Sequence, residues 1–297
     1  MKNSLLVESP GGPHEGEVSA RRAVGIPLVW LNLVCLDAPL VAVSWLWIFS
    51  STFGIPIARG GTAALFLTAW FIYLADRFGD SLSIDERGPT SMRQRICLRY
   101  RRAWMAAFGL IALADLVVIC ARLDSVTRWS GLAAGMVALG YLVLNQALPA
   151  LWRRVPLKEI CIGCLFAAGT VVPLVAGITN VAWPGWLLFA FLCSLNCICI
   201  AVWEEELDQA QRRISIATEF QAIRRFLFPA LLVLTGTSST MGFLLAESRP
   251  VLFCVAGSSL LLLTAHWFQK WIPCDTRTAI ADLVLLTPLI LWALRGF

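Results

Sequence analysis

Carboxylates at helical spacing close two apolar runs of this chain and are its clearest chemistry. Residues 72–80 read Ile-Tyr-Leu-Ala-Asp-Arg-Phe-Gly-Asp, where an apolar segment over 61–74 runs out into charge. The helical period puts Tyr73, Asp76 and Asp80 on one face. Two carboxylates one turn apart repel each other, and near a membrane a cation must neutralise them; a hard divalent ion with oxygen ligands, such as Mg²⁺, suits the pair. A second stretch, residues 196–208, repeats the arrangement, with Asn196, Glu204 and Asp208 on one stripe at the end of another apolar run. Two acidic helix ends facing each other would make a metal-bridged site for a phosphorylated ligand. Asp37 and Asp282 add acids within apolar segments. An acid at such a depth faces a bundle interior, either lining a cavity or bonding a neighbouring helix.

The elements that must position these residues are membrane helices. Hydrophobic residues make up 58% of the chain, charged residues 14%, and the mean hydropathy is +0.74, whereas a soluble domain carries roughly 25% charged residues. At about 20 apolar residues per crossing, 297 residues leave room for some nine spans and no sizeable soluble domain. The pattern predicts an all-α polytopic protein with spans near 27–49, 62–79, 103–120, 131–148, 186–203, 226–246, 251–267 and 278–294, and a fifth span between 148 and 186 carrying Gly163, Gly169 and Gly177. A polar tail over residues 1–25 precedes one transmembrane domain over 26–297. Trp45 and Trp47 suit a membrane interface, as do Trp183 and Trp186.

The net charge of +5 gathers in alternate loops, with seven arginines against four acids between residues 76 and 102. That distribution places these loops and the N-terminus in the cytoplasm of a cell membrane and the C-terminus outside, and it argues for topological anchoring rather than nucleic-acid binding. Both acidic stretches then fall on the inner side. Most of the ten cysteines lie inside apolar runs as small packing residues, and only Cys97 and Cys274 are expected near water. His266 reads as a hydrogen-bonded or interfacial side chain.

The paired acidic stretches, in their place within a nine-helix pattern, resemble the UbiA-type intramembrane prenyltransferase superfamily. Where that family opens its first motif with Asn-Asp, this chain has Ile72 and Tyr73, and Ile200 stands where the second motif opens with Asp. The resemblance extends to Tyr141, late in span four, followed by the basic, Pro-containing turn over 151–159 and a Gly-bearing fifth span. It implies a prenyl diphosphate held through Mg²⁺, one ion on Asp76 and Asp80 and another on Glu204 and Asp208. Arg77, Lys158, Arg153 and Arg154 would bind the diphosphate, although a basic turn over 151–159 is also expected as a cytoplasmic anchor. Tyr73 would contact the leaving oxygen or the allylic cation, and Asn196 would orient a ligand. Asn145 and Asp37 would help to orient a lipid-soluble acceptor, aromatic or quinone-like. No protein partner is legible. A terpene cyclase on the same scaffold and a non-enzymatic transporter or binding protein remain as alternatives.

Overall fold

The computed structural model describes residues 27–82, 90–153, 155 and 157–294, and among them every regular element is helical. The tail expected over 1–25, and Arg154, lie outside the described residues. In chain order the helices are α1 Pro27–Leu33, α2 Asp37–Phe53, α3 Gly61–Leu82, α4 Met92–Arg99, α5 Arg101–Arg122, α6 Ser125–Ala147 and α7 Lys158–Val171. They continue with α8 Trp183–Trp203, α9 Glu205–Ala210, α10 Ile216–Glu219, α11 Ile223–Leu244, α12 Arg249–Trp267, α13 Cys274–Leu283 and α14 Thr287–Leu294. Among the described residues six segments are long and apolar enough to cross a membrane: Arg101–Arg122, Ser125–Asn145, Asn180–Trp203, Ile223–Leu244, Ala246–Trp267 and Thr276–Ala293. The other three expected spans are shorter or carry charge. Helix α2 has 17 residues and α7 has 14, while α3 ends in Asp76, Arg77 and Asp80.

Helix α8 is the axis. It is apolar on every side, and a helix of that kind must be covered all round. Sixty-seven per cent of its most apolar window is buried, against 11% for α5 and 6% for α6, which expose Leu113, Val117, Val137 and Leu139 on their outer faces. Small residues let α7 approach α8: a Cβ on Gly163 would stand 2.3 Å from the backbone nitrogen of Ser194. Around the axis, Trp45 stacks on Phe189 with ring centroids 4.1 Å apart and donates its indole N–H to the carbonyl of Leu285 (2.8 Å). Trp45 is therefore a fully covered core residue rather than an interfacial one. Its polar edge is satisfied inside the bundle, which hydropathy alone does not register.

The first expected span is not one helix. Cys35 takes a left-handed conformation (φ 57°) between α1 and α2, and a non-glycine residue there ends the helical run. The backbone carbonyl of Val34, left without its helical partner, accepts the Trp70 indole N–H from α3 (2.9 Å). The break turns Asn32 and Asp37 toward the same interior corner. Span nine is likewise interrupted, by a 3-10 turn at Val284–Leu286.

Candidate functional site

The highly charged loop after α3 contains a helix. Ser91 and Gln94 form a capping box, Ser91 Oγ accepting the Gln94 N–H and the Gln94 side chain accepting the Ser91 N–H. This starts α4 and sets Arg93 one residue inside it. The amides of Gln94 and Gln211 bond each other reciprocally (2.9 and 3.3 Å), tying α4 to the turn after α9. In that turn Arg212 is left-handed (φ 55°), and the N–H of Arg213 bonds back to the carbonyl of Asp208 (2.8 Å).

A cavity of about 50 Å³ lies where these elements meet, and its wall includes Arg77, Arg93, Arg213, Glu204 and Asp208. The two acidic stretches thus contribute to one site. Arg93 is ion-paired with Glu204 across it. Burial, and then the Glu204 carboxylate one turn away, push the Asp208 carboxyl up to about 6. A buried carboxylate with a like charge beside it is a place where a cation is favourable. Glu204 and Asp208 are the two carboxylates on the wall, and a Mg²⁺ ion bound there would take its remaining oxygens from water and phosphate. Among the described residues no group of three or more His, Cys, Asp or Glu gathers at one point.

Of the remaining expected site residues, Asp76, Lys158, Arg153 and Asn145 do not line this cavity. Asp76 lies within electrostatic reach of Tyr141 and Cys197. Asp80 falls in the last turn of α3, and its side chain lies outside the described residues. Lys158 donates to the carbonyl of Ile214 (3.4 Å) and its charge reaches Asp208. Arg153 stands mostly exposed, 3.9 Å from Glu219. Asn145 is in the last turn of α6. The stripe expected from Asn196 to Asp208 is broken, because α8 ends at Trp203 and Glu204 occupies the junction (φ −98°, ψ 6°) with α9.

Asn196 instead joins a buried cluster one layer deeper. Its amide donates to Asp282 Oδ1 (3.3 Å), and the amide of Asn32 donates to Asp37 Oδ2 (2.5 Å) and to Asp282 Oδ2 (3.1 Å). All four residues are at most 7% exposed. Tyr73 and Arg77 lie within electrostatic reach of both carboxyls. Asn32 and Arg77 belong to the cluster and also to the cavity wall.

One further expectation needs correction. Cys97 is buried, with its thiol pointing to Ser81 Oγ (3.6 Å), because α4 folds it inward. Glu205, off the stripe of Glu204 and Asp208, is buried and accepts from the Arg224 guanidinium (2.6 Å). His266 behaves as the sequence suggests, its Nδ1 accepting the Trp203 indole N–H (3.1 Å). Sequence reasoning missed Arg93 and Arg213 as wall residues. The Ser91-x-x-Gln94 capping signature was the available signal for Arg93, whereas nothing in the local pattern marks Arg213. Compared with models of known protein families, with curated proteins and with solved structures, the chain has no match.

Proposed function

We propose that the protein is a Mg²⁺-dependent intramembrane prenyltransferase that moves a prenyl group from a prenyl diphosphate to a lipid-soluble acceptor. The observation that carries this reading is the shared cavity, where Arg77 of the first acidic stretch meets Glu204 and Asp208 of the second, with Arg93 and Arg213 beside them. Guanidinium groups suit phosphate oxygens, and the two carboxylates suit one Mg²⁺. The ion, held by Glu204 and Asp208, would supply charge neutralisation for a diphosphate leaving group. Arg93 has a second role: released from Glu204, it turns to phosphate and frees that carboxylate. A cavity of about 50 Å³ has room for a few waters, so this opening must accompany diphosphate binding. The apolar bundle excludes water from the carbon centre. In this reading α2, α3 and α7 complete nine crossings, with the cavity at the cytoplasmic mouth.

The test is purified protein in lipid, given prenyl diphosphates, Mg²⁺ and a membrane lipid extract. Turnover is expected only with the extract, and loss of it in Asp76→Asn, Glu204→Gln and Asp208→Asn. A cyclic hydrocarbon formed from the diphosphate alone would replace the transferase by a cyclase. No turnover under either condition would favour a non-enzymatic carrier. One observation favours that second reading: Asp37 and Asp282 are buried together within the bundle, as in a path for protons or cations.

A further inference from the structure

Helix α4 bears Arg95 and Arg99 one turn apart, and Arg102 follows at the start of α5. The register carries across their junction: the N–H of Tyr100 bonds the carbonyl of Ile96, and the carbonyl of Tyr100 accepts from the N–H of Trp104, both at 3.0 Å. Helical spacing therefore continues the arginine stripe through Ala106 and Gly109 to Leu113 and Leu116, and all of these residues are exposed. A Cβ on Gly109 would meet nothing within 4 Å, so the two small residues leave a shallow furrow open to the outside. The stripe changes character at a definite depth. Arg102 and Leu113 are eleven positions apart in one helix, about 16 Å along its axis, against roughly 15 Å for the hydrocarbon of one leaflet. Helix α5 is long and apolar enough to cross a membrane, which sets the arginines at the level of the phosphates and Leu113 near the midplane. Tyr100, its ring centroid 5.7 Å from the Arg99 guanidinium carbon, is a side chain suited to that level. The face carries no acid: the single carboxylate of α4 and α5, Asp115, turns inward and accepts from Thr68 (2.7 Å). Among the described residues Arg95, Arg99 and Arg102 make no ion pair, whereas Arg93, on the inner side of α4, is paired with Glu204.

We infer that this stripe binds an anionic phospholipid, with its phosphate on Arg95, Arg99 and Arg102 and one acyl chain along Ala106, Gly109 and Leu113. Guanidinium groups suit phosphate oxygens, and a basic cluster beside a membrane helix attracts anionic headgroups. The occupant is a lipid rather than a soluble phosphate because the cationic end runs without interruption into an apolar face, and the distance between the two matches one leaflet. The inference stands apart from the transferase reading. It bears on the cavity all the same: Arg93 and Cys97, on the opposite side of α4, are on the cavity wall, so a bound headgroup steadies the outer side of an element that lines it.

The experiment is native mass spectrometry of the full chain in detergent, titrated with phosphatidylglycerol, phosphatidylcholine or glycerol 3-phosphate. Phosphatidylglycerol is expected to be retained roughly tenfold or more above phosphatidylcholine, and Arg95→Gln, Arg99→Gln and Arg102→Gln each to weaken its binding about fivefold. Arg225→Gln removes an equal charge from an exposed position at the start of α11 and should leave retention unchanged. All four arginines are exposed, so thermal midpoints in lipid-free detergent should match wild type, which separates loss of binding from loss of fold. Equal retention of the two lipids, equal weakening by Arg225→Gln or unchanged binding in the three stripe variants would each overturn the inference. Glycerol 3-phosphate bound through the same arginines as tightly as phosphatidylglycerol would also overturn it, leaving a site for a soluble phosphate.

Discussion

At the scale of single residues, Asp208 and Glu205 are neighbours in sequence whose environments differ in kind. Asp208 holds its proton more tightly when folded, up to about 6 against the ordinary aspartate value of 3.8. Between these two values the folded chain binds more proton than the unfolded chain, so stability falls as pH rises through that window. Asp208→Asn has no charge to bury. We expect it to gain on the order of 1–2 kcal/mol relative to wild type at pH 8, and nothing below about pH 4; thermal unfolding at the two pH values reads the difference. Glu205 is buried, and its partner Arg224 is half exposed, so removing the carboxylate loses a partly screened ion pair and leaves the guanidinium in solvent. Glu205→Gln should therefore lower stability by on the order of 1 kcal/mol, while Glu206→Gln, exposed one residue further, should not. Equal effects in denaturation would contradict the burial of Glu205. The helical period separates these residues onto different faces, but it carries no sign for which face is covered, so the burial of Glu205 was not legible.

At the scale of elements, the apolar runs were legible because each must satisfy its backbone within one helix. The interruptions were not. The left-handed residue between α1 and α2 is a cysteine rather than a glycine, and the carbonyl it exposes is satisfied by Trp70, distant in sequence. Nothing local announces either fact. Helix α4 was hidden by its charge, which reads as loop until the capping box is noticed. The junction of α7 and α8 is where a small residue has the most definite consequence. Gly163→Ala would press a methyl group onto the Ser194 backbone, where no flexible side chain can give way. Its cost should be about 1–3 kcal/mol, whereas Gly169→Ala, with open space around it, should be neutral or slightly stabilising. Thermal midpoints of the two variants that coincide would refute the close approach.

At the scale of the whole molecule, both acidic stretches reach one cavity although residue spacing could not have set the distance between them. The alternation of basic loops led us to expect them on one side, and in the fold Arg77 lines the same cavity as Glu204 and Asp208. The deeper Asn32–Asp37–Asp282–Asn196 cluster spans 250 positions of the chain, and no pattern in one sequence joins such partners. Nine crossings require the C-terminus and the α4 region on opposite faces, so single cysteines introduced at Arg99 and Phe297 should react with an impermeant thiol reagent from opposite sides; reaction from the same side would refute that topology. One consequence follows from the thin covering of α5 and α6. Helix α5 supplies Trp104 to the cavity wall and is fastened to α3 by the Phe71–Phe108 stack and the Thr68–Asp115 bond, yet along it and α6 few residues are fully covered by protein. Lateral pressure from acyl chains is then what seats this hairpin, and the cavity's shape becomes a property the protein shares with its lipids, open to adjustment by bilayer thickness without any change in the chain itself.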